Sequence, residues 1–211
     1  MVKDKHIEQT LQQLHKQAKR EIFTILKGLV KGIFRKLKPE DMKNAYISLS
    51  QKQGLFLYDT ILQNNCKNII EFGTSFGIST LYLAAGAKEN GGKVISTEIL
   101  PEKCKIAMQN FTQANALDVI DLREGDAIQT LKNVLENIDF LLLDGWNDLY
   151  LPLLQMLEPR FKKACIVITD NTNFPSAKPF LKYVRNNPKY KSDKVAQLSS
   201  GTEYSLWLGN D

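Results

Sequence analysis

The sequence predicts an α/β fold: a doubly wound, mostly parallel sheet of seven strands preceded by a helical N-terminal extension. Three observations predict it. Short apolar runs alternate with stretches of helical periodicity from residue 69 onward, and runs that are apolar throughout imply strands covered on both faces. The first run, Ile69-Ile70-Glu71-Phe72, opens into Gly73-Thr74-Ser75-Phe76-Gly77 and then an apolar-periodic helix, a strand–turn–helix unit. Residues 190–209 then change character: Lys194–Leu198 and Glu203–Leu208 flank Ser199-Ser200-Gly201-Thr202, which reads as a closing antiparallel hairpin.

The extension, residues 1–40, comes first. Ile7, Leu11, Leu14, Ala18, Ile22, Ile25, Leu29, Ile33 and Leu37 recur at steps of three and four, the pattern of an amphipathic helix. Gly28 and Gly32 each cost roughly 1 kcal/mol relative to Ala, so a break is expected there, and Leu37-Lys38-Pro39 ends the segment. Residues 1–38 hold ten Lys or Arg against three acids, whereas residues 39–211 hold eighteen against twenty. The basic surplus therefore belongs to the extension, and the remaining chain is not expected to bind nucleic acid. The apolar stripe can pack on the main domain or on a second copy in a homodimer. A basic helix carrying Phe23 and Phe34 also suits the surface of an anionic membrane.

Residues 41–211 read as one domain. Residues 44–52 are expected to be a loop suited to a lid, and Gln53–Gln63 a helix. Strands follow at Lys93–Thr97, Val119–Arg123, Ile138–Asp144 and Ala164–Thr169, with helices at Pro101–Asn115, Ala127–Glu136, Leu149–Glu158 and Pro175–Arg185. Cys66, Cys104 and Cys165 lie far apart without Cys-x-x-Cys spacing, which implies neither a zinc cluster nor a disulfide framework and makes the cytoplasm the expected compartment. No run reaches the roughly 18 apolar residues of a membrane span.

In an open parallel sheet, ligands bind beyond the carboxyl ends of the strands, and the residues ending these strands are polar. Gly73 and Gly77 let the chain bend close to a ligand at the N-terminus of the next helix, where Ser79 and free N–H groups can receive a carboxylate. The spacing is Gly-x-x-x-Gly, and an acid, Glu71, ends the strand. That repels a pyrophosphate but suits a ligand with an amino group, which points to S-adenosylmethionine (SAM). Glu98 ends the second strand, and a carboxylate has two oxygens for the two hydroxyls of a ribose. The third strand leads to Gly125-Asp126-Ala127, the fourth to Asp144 and the fifth to Asp170-Asn171. Two carboxylates and an amide oxygen on neighbouring strand ends form a hard-oxygen set suited to Mg²⁺. An N-cap role for Asp170 or Asn171 and a surface Asp144 remain the alternative.

From Tyr46 to Leu208 the chain resembles the class I SAM-dependent O-methyltransferases of the cation-dependent group, which includes catechol and caffeoyl-coenzyme A O-methyltransferases. Ile70 to Ser79 is similar to the family's SAM motif, Thr97-Glu98-Ile99-Leu100-Pro101 to its ribose-binding strand end, and Gly125-Asp126-Ala127 to its adenine-side turn. Asp144-Gly145-Trp146-Asn147-Asp148-Leu149-Tyr150 resembles the catechol enzymes' metal segment, Thr169-Asp170-Asn171 the second metal segment, and Phe180 to Arg185 the helix after it. The resemblance implies a Rossmann-like fold and a small-molecule hydroxyl acceptor. It implies cofactor contacts at Leu49, Glu71, Gly73, Ser75, Gly77, Ser79, Glu98, Ile99, Asp126, Ala127, Asp144 and Trp146, and metal ligation by Asp144, Asp170 and Asn171.

Two departures stand out. The catechol enzymes have a lysine as general base three residues after the first metal-binding aspartate, where this chain has Asn147, which takes no proton at neutral pH. Lys52 and Asp148 are the candidate substitutes, with acidification of the acceptor by the metal a third route. The stretch between Arg185 and Gly201 is also shorter than the catechol-enzyme loop that binds a substrate hydroxyl. A metal-independent or nitrogen-directed methyltransferase, and a SAM-binding protein without turnover, stay open beside the leading expectation.

Overall fold

The computed structural model describes residues 1–29, with backbone only from residue 21, and residues 49–134, 137–198 and 201–209. Seven strands form one sheet: β1 (Asn68–Phe72), β2 (Lys93–Glu98), β3 (Ile120–Glu124), β4 (Ile138–Leu143), β5 (Phe161–Thr169), β6 (Tyr190–Lys194) and β7 (Glu203–Trp207), in the order β3-β2-β1-β4-β5-β7-β6. The first five are parallel, and β7 runs antiparallel to both β5 and β6. The seven-stranded, doubly wound expectation is therefore met.

Alternation along each central strand supplies the two apolar layers. Ile69, Phe140, Leu142, Ile166 and Ile168 face one layer, with α1 (Lys5–Leu29), α2 (Gln51–Gln63) and α3 (Ile78–Asn90). Ile70, Leu141, Leu143 and Val167 face the other, with α5 (Ala127–Thr130), α6 (Tyr150–Leu157) and α7 (Lys178–Asn186). Each such fully buried side chain contributes roughly 1.5–3 kcal/mol. On the far side, the Arg185 guanidinium on α7 donates to both oxygens of buried Glu203 at 2.8 and 2.6 Å, tying that helix to β7.

Helix α3 is buried from Ile78 to Ala87 because the sheet covers one side and α2 and α1 cover the rest. Ile7, Leu11, Leu14 and Ala18 on α1 are buried, and α1 packs on α3 and on α4 (Pro101–Gln113). His15 Nε2 lies 2.9 Å from the Tyr82 hydroxyl, and Lys88 pairs with Asp4 at 3.0 Å. Over residues 7–18, then, this same chain covers the apolar stripe. Helix α1 runs through Gly28 without the break expected there, while Gly32, Leu37, Pro39, the side chains of Phe23 and Phe34, and most of the 44–52 loop lie outside the described residues.

Several expected boundaries need correction. Helix α2 starts at Gln51, because Ser50 is an N-cap and forms a reciprocal capping box with Gln53. The helix expected over 127–136 is one turn, Ala127–Thr130, and that over 101–115 stops at Gln113, ahead of a left-handed Asn115. The helix expected from Leu149 begins with a 3₁₀ turn, Asn147–Leu149, before α6. Strand β5 starts at Phe161, with Ala164 left-handed inside an irregular stretch; β3 runs from Ile120 to Glu124 and, as an edge strand, is only partly buried. The closing hairpin differs most: β6 is Tyr190–Lys194, not Lys194–Leu198. Tyr190 packs on Trp207 with ring centroids 4.9 Å apart, which fixes the register with β7 and leaves residues 195–202 as the connection.

Candidate functional site

The carboxyl end of the sheet is assembled around the β1–α3 turn. The N–H groups of Gly73 and Thr74 donate to the Thr97 carbonyl on β2 at 3.1 and 3.0 Å, and the Gly77 N–H donates to the Thr74 carbonyl at 2.8 Å. Gly73 has φ +107°, and a Cβ there would lie 2.6 Å from the Asp144 carbonyl oxygen and 2.8 Å from the Gly145 nitrogen. Only glycine lets this turn lie against the end of β4. Helix α3 then starts with Ile78 and Ser79, with left-handed Gly77 as its N-cap and no side-chain capping bond.

Glu71 is not the strand terminus. Strand β1 runs on to Phe72, and Glu71 is fully buried, its carboxylate accepting hydrogen bonds from the hydroxyls of Thr80 and Ser96. Burial pushes its carboxyl above the usual carboxylate range; the hydroxyls of Ser79, Ser96 and Thr80 oppose that shift, and the charge of Glu98 adds to it. Its place is beneath the turn, where it organises the small hydroxyl residues of β2 and α3.

Glu98 ends β2 as expected and is 9% exposed. Its Oε2 accepts the Ser75 N–H at 2.9 Å and its Oε1 the Leu100 N–H at 3.0 Å. Ser75 is left-handed, and its Oγ lies 3.3 Å from the Lys103 ammonium, which also stands over the Phe76 ring. The Gly125 N–H donates to the Glu98 carbonyl at 2.8 Å, bringing the β3–α5 turn alongside. In that turn Asp126 is the N-cap of α5, its carboxylate accepting the Ile128 N–H at 2.9 Å, and Ala127 is buried. Ile99 and Trp146 are exposed at 62% and 48%, just beyond the ends of β2 and β4, the two strands flanking β1.

Asp144 follows β4 and Asp170 follows β5, and the two are electrostatic neighbours. Burial raises the Asp144 carboxyl well above its usual value, and the charges of Asp170 and Glu71 raise it further; the Asn171 amide, donating to Asp144 Oδ1 at 3.0 Å, opposes the shift. Asp170 is buried, with its Oδ2 accepting from Gln53 Nε2 at 3.0 Å and its Oδ1 from Thr202 Oγ1 at 2.9 Å. Asn171 is left-handed at φ +60°, and its carbonyl accepts from Asn147 Nδ2 at 3.2 Å. The fully buried Tyr150 hydroxyl lies 3.2 Å from the carbonyls of both Gly145 and Asp170, locking the two strand-end loops together.

The expected residues thus gather at one sheet edge, in two groups on either side of β1. Leu49 is buried in a small crevice beside Gln53, Asp170 and Thr202. The two candidate bases are less central: the Lys52 ammonium donates to the Gln197 carbonyl at 2.7 Å, and Asp148 is exposed in the 3₁₀ turn. Gln53, Thr202 and Tyr150 were not among the expected site residues. Ser50-x-x-Gln53 is a capping-box signature and could have located the start of α2, but its second partner is 117 residues away. Among the described residues no helix is long and apolar enough to cross a membrane, and no three His, Cys, Asp or Glu side chains form a metal cluster.

A sequence model of the O-methyltransferase family matches residues 16–178. Catechol O-methyltransferase B of Danio rerio is 30% identical over 176 residues, covering 77% of this chain and 66% of that protein. Caffeoyl-CoA O-methyltransferase 1 of Eucalyptus globulus is 29% identical over 164 residues, covering 72% of this chain and 65% of that protein. The chain therefore spans just under two thirds of the length of these curated relatives. Among solved structures, the O-methyltransferase from Bacillus cereus in complex with SAH superposes with a TM-score of 0.75 at 20% identity, covering 94% of this chain and 90% of that one.

Proposed function

From the premise that this chain belongs to the O-methyltransferase family, we propose that it transfers a methyl group from SAM to a hydroxyl oxygen of a small-molecule acceptor, assisted by a divalent cation such as Mg²⁺. The observation that carries this reading is the division of the sheet edge. The Gly73–Gly77 turn continues from β1, with Glu98 at the end of β2 on one side and Asp144, Asp170 and Asn171 beyond β4 and β5 on the other.

On the first side, the free N–H groups at the start of α3, with Ser79, would receive the methionine carboxylate. Glu98 would accept the ribose hydroxyls, and Ile99 and Trp146 would flank the adenine, with Asp126 and Ala127 at its edge. Strands two apart in a sheet are separated by about 9–10 Å, room for a flat ring between two side chains.

On the second side, the residues fit a divalent cation. Mutual repulsion of Asp144 and Asp170 is the penalty that a cation removes. With no third His, Cys, Asp or Glu to join them among the described residues, the remaining protein donor is Asn171, whose amide would turn its oxygen towards the ion. When bound, SAM supplies the methyl group and the cation lowers the pKa of the acceptor hydroxyl. The chain's own work is positioning: Tyr150 holds the Asp144 and Asp170 loops in one geometry, and Asn147 steadies the Asn171 carbonyl.

The test is transfer of a labelled methyl group from SAM to a panel of phenolic and other hydroxyl acceptors, with and without EDTA. Transfer that EDTA abolishes and Mg²⁺ restores supports the whole reading. EDTA-resistant transfer that survives Asp170→Ala would make the enzyme metal-independent. A second reading, SAM binding without turnover, is favoured by Asn147, whose amide is committed to Asn171 where the resemblance implies a lysine base. SAM binding with no transfer to any acceptor would favour it.

A further inference from the structure

We infer that Gln53 and Thr202 are positioning residues for the cation site: from two separate chain segments they hold the Asp170 carboxylate in the attitude a metal ligand needs. The inference rests on the cation reading proposed above and extends it to the start of α2 and the β6–β7 connection.

Gln53 Nε2 donates to Asp170 Oδ2 at 3.0 Å, and Thr202 Oγ1 donates to Oδ1 at 2.9 Å, all three residues being buried. The orientation of the Gln53 amide is settled by chemistry. Its Oε1 accepts the Ser50 N–H at 3.1 Å and the Ser50 hydroxyl at 2.7 Å, while an ionised carboxylate can only accept, so the NH₂ must face Asp170. The cap of α2 and the carboxylate are thus joined through one rigid amide. Thr202 is fixed in turn, since its carbonyl accepts the Val195 N–H at 2.9 Å and the neighbouring Gly201 carbonyl accepts the Thr172 N–H at 2.9 Å.

The backbone of Asp170 is held as well, its N–H donating to the Leu143 carbonyl at 3.0 Å and its carbonyl facing the Tyr150 hydroxyl at 3.2 Å. A carboxylate offers about four lone-pair directions, and a donor to each of its two oxygens constrains the plane in which it can face an ion. Both of these donors are neutral, so neither competes as a charge with a cation. Groups that orient a ligand in this way typically change metal affinity by 10–100-fold when removed.

The experiment titrates Mn²⁺ into the full chain with SAM present, following free Mn²⁺ by electron paramagnetic resonance, with no acceptor and no turnover. Gln53→Met and Thr202→Val should each weaken Mn²⁺ binding by about 10–100-fold. Thr202→Ser, which keeps the hydroxyl, should restore it, and SAM affinity measured by calorimetry should not change. If Gln53→Met fails to fold, the near-isosteric Thr202→Val carries the test. Unchanged Mn²⁺ affinity in these variants, in a wild type whose binding is lost in Asp170→Ala, overturns the positioning role alone. Weakening that Thr202→Ser shares overturns it too. A wild type that takes up no Mn²⁺ overturns the cation reading and this inference with it.

Discussion

Replacing Glu98 by Ala separates two jobs assigned to one carboxylate. The first is structural: its oxygens accept the Ser75 N–H at 2.9 Å and the Leu100 N–H at 3.0 Å in a position only 9% exposed. An unsatisfied buried N–H costs about 1–3 kcal/mol, but water can enter the space an Ala leaves at this sheet edge, so the net loss of stability should be about 1–3 kcal/mol for the pair. The second job is to bind ribose. A hydrogen bond to a charged group contributes about 1.5–3 kcal/mol, so SAM affinity should fall by one to two powers of ten. Glu98→Gln retains one acceptor but turns an NH₂ against the other N–H, and should fall between Ala and wild type in both measurements. Urea melts report the first quantity and calorimetric titration with SAM the second. Lost stability with unchanged SAM affinity would make Glu98 a strut of the turn and refute its ribose role.

Three further outcomes are expected. Gly73→Ala combines a φ of +107° with a Cβ pressed to 2.6 Å from backbone, so urea melts should show a loss of about 3 kcal/mol or more; Gly91→Ala, left-handed but facing open space, should lose only about 1–2 kcal/mol. Glu71 has its folded pKa raised, so the stability it contributes is present below the unfolded value of about 4.3 and is lost as pH rises through the folded one. Glu71→Gln should flatten the decline in stability above about pH 4.3, and urea melts from pH 4 to 8 with the same slope in both proteins would contradict this. Asn147→Lys should speed methyl transfer near neutral pH by up to roughly 10²–10⁴-fold if a general base is what the chain lacks. The effect should fade towards pH 10, where a phenol ionises unaided; a pH–rate profile of both forms checks it, and an indifferent wild type would mean that the base lies elsewhere.

The central sheet was legible because both faces of its strands are buried: Ile69, Ile70 and Leu141 to Leu143 form apolar runs that stop abruptly at the acidic residues Glu71 and Asp144. The β1–α3 turn was legible for a similar local reason, since Gly73 and Gly77 are demanded by backbone geometry within a few residues. Strand β6 was not. Lys191-Ser192-Asp193-Lys194 lies at the sheet edge with mostly exposed side chains, and its place is set by Tyr190 meeting Trp207 seventeen residues later. Gln53 and Thr202 were invisible as site residues because a neutral side chain announces nothing until the fold brings Asp170 to it. Glu71 was expected to end β1, but the strand runs one residue further to Phe72, because an acid near the end of an apolar run does not show from sequence where pairing stops.

The docking of α1 has a consequence for how the chain is made. Its apolar stripe is synthesised well before the residues that cover it, among them Tyr82 on α3 and Phe111 on α4. At ordinary translation rates the roughly one hundred residues from α1 to the end of α4 take about 5–20 s, during which the stripe on α1 waits for its full cover. The nascent protein therefore passes through a period with an uncovered apolar stripe on α1, and α3 emerges needing both its near neighbours, β1 and α2, and a helix made long before. A pulse of protease or hydrogen exchange on stalled chains should find α1 unprotected until α4 has left the ribosome, and shielded together with α3 thereafter.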